Sequence, residues 1–336
     1  MTENREASGG ETGLVGGAQA LSARSVPAGA GPTTKARKHR PWGEIAIFTG
    51  PALVIFFTFV ILPVVLACYV SFFNWDGGGD LGKFVGFDNY TNVIQDSVFQ
   101  QGIRNNAFIV VFSLGIQGPI AIGIALLMNR KLRFRGAFRT MMFVPYVLSE
   151  VVAGAMWRLI LDQRGILNSL LIQTGVFDSP RDAIGWLSDS KLVMWTMMFV
   201  LTWKYVGFAV ILMLAGLQGV NEDLLEAARV DGATWWQVQR SISIPLIGPT
   251  IRVWAFLSMI GAIQLFDMAT LLTNGGAPFD RTFTMAMFVI DRAVTYRQYG
   301  YATAAAVILF AISMTVALLF MRFVMRRDNE TEGSAA

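Results

Sequence analysis

The sequence predicts an all-α polytopic membrane protein with about six transmembrane helices and both termini in the cytosol. Of its 336 residues, 54% are hydrophobic and only 15% are charged, whereas about a quarter of a soluble domain is charged. Apolar segments long enough to cross the roughly 30 Å hydrocarbon layer recur along the chain. The third observation, a bias in the placement of Lys and Arg, sets the predicted orientation.

Six apolar segments are the predicted spans. They lie at residues 45–73, 106–128, 140–161, 192–217, 249–272 and 301–324. The first span contains Gly50-Pro51 and Pro63, which kink a membrane helix without forbidding it.

Basic residues divide unevenly between the two sides of the predicted membrane. If the amino terminus is inside, sixteen Lys and Arg residues lie inside and eight lie outside. The inner set is Arg5, Arg24, Lys35, Arg37, Lys38, Arg40, Arg130, Lys131, Arg133, Arg135, Arg139, Arg229, Arg240, Arg322, Arg326 and Arg327. The outer set is Lys83, Arg104, Arg164, Arg181, Lys191, Arg281, Arg292 and Arg297. The positive-inside rule therefore places both termini in the cytosol.

The ends of the chain are predicted to be tails around one transmembrane domain. Residues 1–41 are rich in Gly, Ala, Ser and Thr and end in a basic run, which predicts a disordered cytosolic tail with a basic patch beside the membrane or a segment that binds a specific partner. No apolar stretch occurs within its first thirty residues, so it is not a secretory signal peptide. Residues 42–327 form the membrane domain, and 328–336 form a short cytosolic tail.

The predicted outer segments lie at about 74–105, 162–191 and 273–300. They contain the aromatic residues Trp75, Phe84, Phe87, Tyr90, Trp186 and Phe279. Such residues either anchor the protein at the membrane interface or form a rim that an external partner grips.

Several kinds of site are excluded by composition. Cys68 is the only cysteine and His39 the only histidine, so the chain has neither an internal disulfide nor a His/Cys zinc site. No G-x-x-x-x-G-K-[ST] phosphate loop occurs, and no acid–base or nucleophile constellation is found. Carboxylate-only metal sites stay open, although no ligand spacing suggests one. We therefore expect no enzyme activity, cofactor, metal or nucleic-acid partner for this chain.

The segment between the fourth and fifth spans, residues 218–248, begins with a short predicted helix. Asn221 is a favourable N-cap, and Glu222 and Asp223 place negative charge in the first turn, where the helix dipole favours it. Leu224, Leu225 and Ala228 supply an apolar side.

A second short helix is predicted to follow at once. Gly232 suits the left-handed residue that commonly follows a helix end, and Thr234 with Gln237 matches a capping box. Pro245 disfavours helical geometry at Ile244 and is expected to end the second helix.

This helix–Gly–helix elbow would expose Leu225, Glu226, Ala227 and Ala228, where the two small residues allow another protein to approach closely. The alternative is an amphipathic loop lying on the headgroups. Four acidic residues oppose that alternative because the inner leaflet is negative; they are Glu222, Asp223, Glu226 and Asp231.

The loop also carries a recognisable motif. Glu226-Ala227-Ala228, then three residues, Gly232, nine residues, Ile242, one residue and Ile244-Pro245 resembles the EAA loop of binding-protein-dependent ABC importer permeases. That family prefers Leu where this chain has Ile244. In the family, the loop inserts into a cleft on a cytosolic ATPase. The resemblance implies that the ATPase-coupling residues are Leu225, Glu226, Ala227, Ala228, Asp231, Gly232 and Pro245.

Shorter motifs resemble the carbohydrate-uptake branch of that family, so the likeness extends over about residues 42–327. They are Asp231-Gly232-Ala233, Val85-Gly86-Phe87-Asp88-Asn89-Tyr90, Gly185-Trp186-Leu187 and Thr273-Asn274-Gly275-Gly276-Ala277-Pro278. The resemblance implies an ABC importer type I transmembrane domain in the bacterial plasma membrane, maltose-permease-like, that carries a di- or oligosaccharide. Its implied partners are a second permease in a heterodimer, a cytosolic dimer that binds the ATP, and an extracellular sugar-binding protein.

Polar residues within the spans are costly and therefore indicate a pathway. The predicted substrate pathway comprises Gln264, Asp267, Trp203 and Glu150; Trp157 and Tyr205 are further aromatic candidates. Gln264 and Asp267 are three residues apart and should share a helical face with Thr270. Alternatively, Glu150, Arg158 and Lys204 pair across helices or reach towards the interface.

An ion-coupled secondary transporter is the alternative function. Its signature is a pair of interrupted helices in matching positions of two inverted halves. The prolines of the first span lack a clear counterpart in the fourth, which favours the importer.

Overall fold

A computed structural model describes residues 42–130, 134–179, 182–276, 278 and 280–325. The predicted tails 1–41 and 328–336 lie outside these residues, as do Ala277 and Phe279. The chain divides after Leu53 into two units, and the packing described below is that of the unit beginning at Val54.

The described chain is helical apart from one two-stranded hairpin. The first half contains α1 Trp42–Phe56, α2 Leu62–Val70, β1 Phe73–Asn74, β2 Lys83–Phe84, α3 Asp88–Gln95, α4 Ser97–Phe112, α5 Gly118–Met128, α6 Arg135–Val147, α7 Glu150–Leu161 and α8 Ile166–Gln173. The second half contains α9 Val193–Gln218, α10 Glu222–Val230, α11 Trp235–Val238, α12 Ile244–Leu246, α13 Gly248–Ile263, α14 Asp267–Leu272, α15 Met285–Ile290 and α16 Tyr299–Phe320. Wider π-helical turns occupy Phe57–Ile61, Ser113–Gln117, Gln239–Ser243, Asp291–Thr295 and Met321–Met325.

Four of the six predicted spans are confirmed as helical stretches long and apolar enough to cross a membrane. These are Ala46–Val70, Ser97–Met128, Val193–Gln218 and Tyr299–Val324. The second begins earlier than predicted because the Asp96 carboxylate accepts a 2.8 Å hydrogen bond from the Val98 amide and caps the helix.

The third predicted span, 140–161, is wrong as a single helix. It is broken between α6 and α7, and the two parts meet at 96°. Leu148 and Ser149 have ψ near 142°, which is extended backbone and interrupts the helical hydrogen bonds. Counted with this pair and the next broken pair, the described chain has up to six spans.

The fifth predicted span, 249–272, is also broken. Helix α13 ends before Gln264, and Phe266 has φ −135° and ψ −68° before α14 starts at Asp267. A second bend of 66° separates Trp235–Leu246 from Gly248–Ile263.

The prediction that Pro245 ends the second elbow helix is wrong. The chain stays helical through Ile244–Leu246, and the 66° bend comes at Ile247. Pro245 lies in the first turn after the π-helical turn Gln239–Ser243. A proline is tolerated in a first helical turn, where its missing N–H is not required.

Helix α9 lies at the centre of the packing. Its amino-terminal half, with Met197 and Leu201, joins α4, α7, α14 and α15 in one apolar core. Its carboxyl-terminal half, with Met213 and Leu214, joins α5 and α13 in a second core. In contrast, residues 54–66 of the first span are all exposed, which suits a helix that faces lipid or another subunit.

The aromatic residues of the predicted outer segments divide into two groups. Trp186 donates from Nε1 to the Asn168 side chain at 3.0 Å and packs against the core. Phe84 and Phe87 remain 64% and 70% exposed. The described residues therefore supply both internal packing and exposed aromatic surface.

Candidate functional site

The predicted elbow forms as its local chemistry requires. The Asn221 side chain accepts a 2.9 Å hydrogen bond from the Asp223 amide, which confirms it as the N-cap of α10. Glu222 and Asp223 occupy the first turn, where their charges complement the unpaired amides of the helix end.

Gly232 makes the turn between α10 and α11, with φ at +83°. Its amide donates to the Arg229 carbonyl at 3.1 Å, and the Ala233 amide donates to the Ala228 carbonyl at 3.0 Å. These two bonds form a Schellman motif, which satisfies the last carbonyls of α10. The left-handed residue predicted at position 232 is confirmed.

The capping box predicted at the start of α11 is also confirmed. The Thr234 amide donates to Gln237 Oε1 at 2.7 Å, and the Gln237 amide donates to Thr234 Oγ1 at 3.4 Å. The main-chain groups at the end of α10 and at the start of α11 are thus hydrogen-bonded within the elbow, which makes it a stiff unit.

The predicted coupling residues lie on an open surface. Glu226, Ala227, Asp231, Gly232 and Pro245 are exposed, whereas Leu225 and Ala228 are half-buried. The elbow therefore presents acidic, small and apolar groups together.

An aromatic anchor that the sequence analysis missed ties the elbow to α5. The Arg130 guanidinium lies 4.2 Å from the centre of the Trp235 ring, a favourable cation–π geometry. Val238, three residues further along α11, is buried. Trp235 also packs against the apolar core that α5, α9 and α13 form.

A cavity of about 470 Å³ lies among α4, α6, α7, α9 and α13. Three of the four predicted pathway residues line it, namely Glu150, Gln264 and Asp267. Gln264 ends α13 and Asp267 begins α14. Because the chain breaks between them, the prediction that Gln264 and Asp267 share a helical face is wrong, although both line the cavity. Thr270 lies on α14 with Asp267.

Trp203, the fourth predicted pathway residue, does not line this cavity. Its ring packs edge-on against Trp157 at 5.2 Å between centroids, within the apolar core. Arg158 donates to the Asn274 side chain at 3.1 Å. Lys204 is buried and donates to main-chain oxygens at the break between α6 and α7.

Further polar groups in the cavity wall were not predicted. Ser113 donates to Gln117 Oε1 at 3.0 Å and lies 2.6 Å from the Ser258 hydroxyl oxygen. Tyr205 donates its hydroxyl hydrogen to Glu150 Oε1. Ser113 and Gln117 are four residues apart within the predicted span 106–128, and that spacing was the available signal.

The cavity thus combines amide, hydroxyl and carboxylate groups with the rings of Tyr146, Tyr205 and Phe208. Such a wall is suited to binding an uncharged polar solute through a few directed hydrogen bonds. Within the described residues, no three His, Cys, Asp or Glu side chains come together as metal ligands.

Comparison with known proteins decides the family. The model of the family described as binding-protein-dependent transport system inner membrane component matches residues 117–328. The chain belongs to this family. The matched region of the permease contains the elbow and most of the cavity wall.

Relatives of this chain are also named as permease proteins of transport systems. A probable ABC transporter permease protein of Pyrococcus horikoshii is 33% identical over 82% of this chain and 94% of the relative. The diacetylchitobiose uptake system permease protein NgcF of Streptomyces coelicolor is 31% identical over 90% and 88%. The lactose transport system permease protein LacF of Rhizobium radiobacter is 30% identical over 84% and 94%.

The fold of the permease is also found in a solved structure. A chain from the crystal structure of a bacterial ABC transporter involved in alginate import superposes with a TM-score of 0.74 at 24% identity, over 85% of this permease and 99% of that chain. This similarity confirms the predicted ABC importer permease fold.

The permease is therefore a multi-pass membrane subunit of an ABC importer, and its transport system depends on a binding protein. Because its relatives are permease proteins, it is a transport subunit and not an enzyme. None of these comparisons supports the ion-coupled alternative.

Proposed function

We propose that this permease imports a sugar, in the di- to oligosaccharide range, and forms half of the translocation pathway. Relatives named for diacetylchitobiose, lactose and arabinooligosaccharides support a sugar substrate. The single observation that carries the proposal is the cavity of about 470 Å³, whose volume lies within the roughly 300–1,000 Å³ of small-molecule sites.

The proposed energy source is a separate ATPase dimer that binds the ATP, while this chain binds no cofactor. The elbow supports this division because it is exposed, stiff and free of a phosphate-binding loop. In the proposed cycle, closure of the ATPase dimer draws the elbows together and opens the cavity outwards, and hydrolysis resets it.

A second permease of similar fold is proposed to complete the pathway in the bacterial plasma membrane. The cavity-lining residues Gln264 and Asp267 are exposed in this chain alone. Six spans enclose a sugar-sized passage poorly, so a facing subunit would close the open side.

Reconstitution tests the transport proposal. The tagged permease would be purified with its co-purifying subunits, placed in liposomes and supplied with the binding protein and radiolabelled lactose or diacetylchitobiose. Uptake should require both ATP on the cytosolic side and the binding protein. Accumulation by the permease alone, driven by a proton or sodium gradient without nucleotide, would contradict the proposal.

The docking role of the elbow is tested by Glu226→Lys. Reversing this exposed charge should reduce ATPase recovery in pull-downs by at least about tenfold, since a like-charge or unpaired contact at an interface costs several kcal/mol and each 1.4 kcal/mol is about tenfold in affinity. Asp178→Lys is the matched control, because Asp178 is also exposed but lies in a predicted outer segment. Equal ATPase recovery with both variants would refute the docking assignment.

A further inference from the structure

Lys204 is a lysine in the middle of α9 that is only 2% exposed. Lysine is almost never fully buried unless its charge is paired. Its Nζ donates to the main-chain oxygens of Pro145 at 3.1 Å and Tyr146 at 3.0 Å, and also to that of Leu148. An ammonium group has three donors, and three carbonyls use them.

These three carbonyls belong to the last turn of α6 and to the break that follows it. The last four carbonyls of a helix have no partner within the helix, and the carboxyl end carries partial negative charge that favours a cation. Inside a bilayer no water is present to satisfy such groups. Lys204, on the neighbouring helix α9, therefore supplies the hydrogen-bond donors and the positive charge that the carboxyl end of α6 lacks.

Two further residues of α9 hold the same helix end in place. A Cβ on Gly207 would overlap the Met142 carbonyl, so only glycine allows α6 to approach this closely. The Tyr146 ring is stacked on the Phe208 ring at 4.8 Å between centroids. The end of α6 is thus held by a charge, a close backbone contact and a ring stack.

The other side of the break is held by the residue next to Lys204. Tyr205 donates to Glu150, the first residue of α7. Tyr146, Glu150, Tyr205 and Phe208 all line the cavity, whereas Lys204 does not.

We propose that Lys204 is a positioning residue that caps α6 from the neighbouring helix α9 and thereby sets the cavity wall at Tyr146 and Glu150. The capping role depends only on the contacts above. Its effect on the solute rests on the proposed function, in which this cavity is the translocation pathway.

Lys204→Met in the assembled importer tests the proposal, since methionine has a similar length and no donor. Amide hydrogen exchange in the segment 143–147, at every residue except Pro145, should become about tenfold faster, because the last turn of α6 opens locally once its carbonyls lose their partner. The solute concentration for half-maximal uptake should rise several-fold, with the maximal rate less affected. Lys204→Arg, which keeps the charge and the donors, should restore most of both properties.

Lys191→Met is the matched control, because Lys191 is an exposed lysine just before α9; it should change neither measurement. Unchanged exchange at 143–147 in Lys204→Met would overturn the cap. Faster exchange with an unaltered solute concentration for half-maximal uptake would overturn the positioning role. The assignment of the cavity to the translocation pathway is tested separately by Asp267→Asn.

If Lys204→Met fails to assemble, Lys204→Arg decides the question. An equal loss of assembly in Lys204→Arg overturns the proposal, whereas normal assembly and uptake by Lys204→Arg support it.

Discussion

Single residues carry the mechanical properties of the elbow. Gly232 adopts a backbone conformation that L side chains rarely take, yet a Cβ placed there meets no atom within 4 Å. Any free-energy cost of a side chain at position 232 therefore arises from backbone strain and not from a steric clash. A substitution here tests the shape of the elbow without disturbing its packing.

Gly232→Val should penalise the turn by about 1–2 kcal/mol or more, because a β-branched residue is disfavoured at positive φ. We expect normal membrane insertion but strongly reduced uptake, measured with labelled sugar in whole cells. Gly219→Ala is the matched control, since Gly219 has φ −82° and accommodates a side chain. Unchanged uptake in Gly232→Val would count against a coupling role for the elbow.

Asp267 is the residue by which the pathway can be tested most directly. Asp267→Asn keeps the shape of the cavity wall but removes a charged acceptor, and hydrogen bonds to charged groups contribute about 1.5–3 kcal/mol. The half-maximal sugar concentration for uptake should rise by about tenfold. Asp80→Asn, at an exposed position in a predicted outer segment, is the control and should not change the half-maximal concentration. If Asp267→Asn also leaves it unchanged, the cavity is not part of the translocation pathway.

At the scale of helices, the two broken spans are stabilised in the same way. Each break leaves main-chain groups without helical partners, and side chains from distant helices satisfy them. At the second break, Asn106 donates to the Ala262 and Ile263 carbonyls at 2.7 and 3.2 Å and accepts from the Met285 amide at 2.9 Å. Thr284 donates to the Leu265 carbonyl at 2.7 Å.

Asn106→Leu should therefore destabilise the membrane domain. It leaves buried main-chain groups unpaired, at about 1–3 kcal/mol for each, so the melting temperature in detergent should fall clearly. Gln100→Leu, on the same helix, loses one hydrogen bond at an exposed position and serves as the control. Equal melting temperatures for the two variants would show that the break does not depend on Asn106.

At the scale of the whole molecule, the predicted orientation rests on the distribution of Lys and Arg. That bias predicts that the elbow lies in the cytosol and the hairpin of β1 and β2 outside. The proposed mechanism requires this orientation, because the ATP is on the inner side.

Thiol labelling checks the orientation in a Cys68→Ala background, since Cys68 is the only cysteine. A membrane-impermeant reagent should label Lys83→Cys in intact cells and Ala227→Cys only in inverted vesicles; both positions are exposed. The opposite pattern would reverse the topology and exclude the elbow as an ATPase contact.

The sequence by itself determined the membrane class, four spans as continuous helices, and the caps and the turn of the elbow around Gly232. These features depend on hydropathy and on caps within a few residues of each other. Only the tertiary structure decided where the third and fifth spans break and which side chains line the cavity. The partners that stabilise the breaks come from far away in the chain: Lys204 lies 59 residues from Pro145, and Asn106 lies 156 residues from Ala262. Local patterns contain no record of such pairings, because a carbonyl is satisfied equally well by any donor that the fold brings to it.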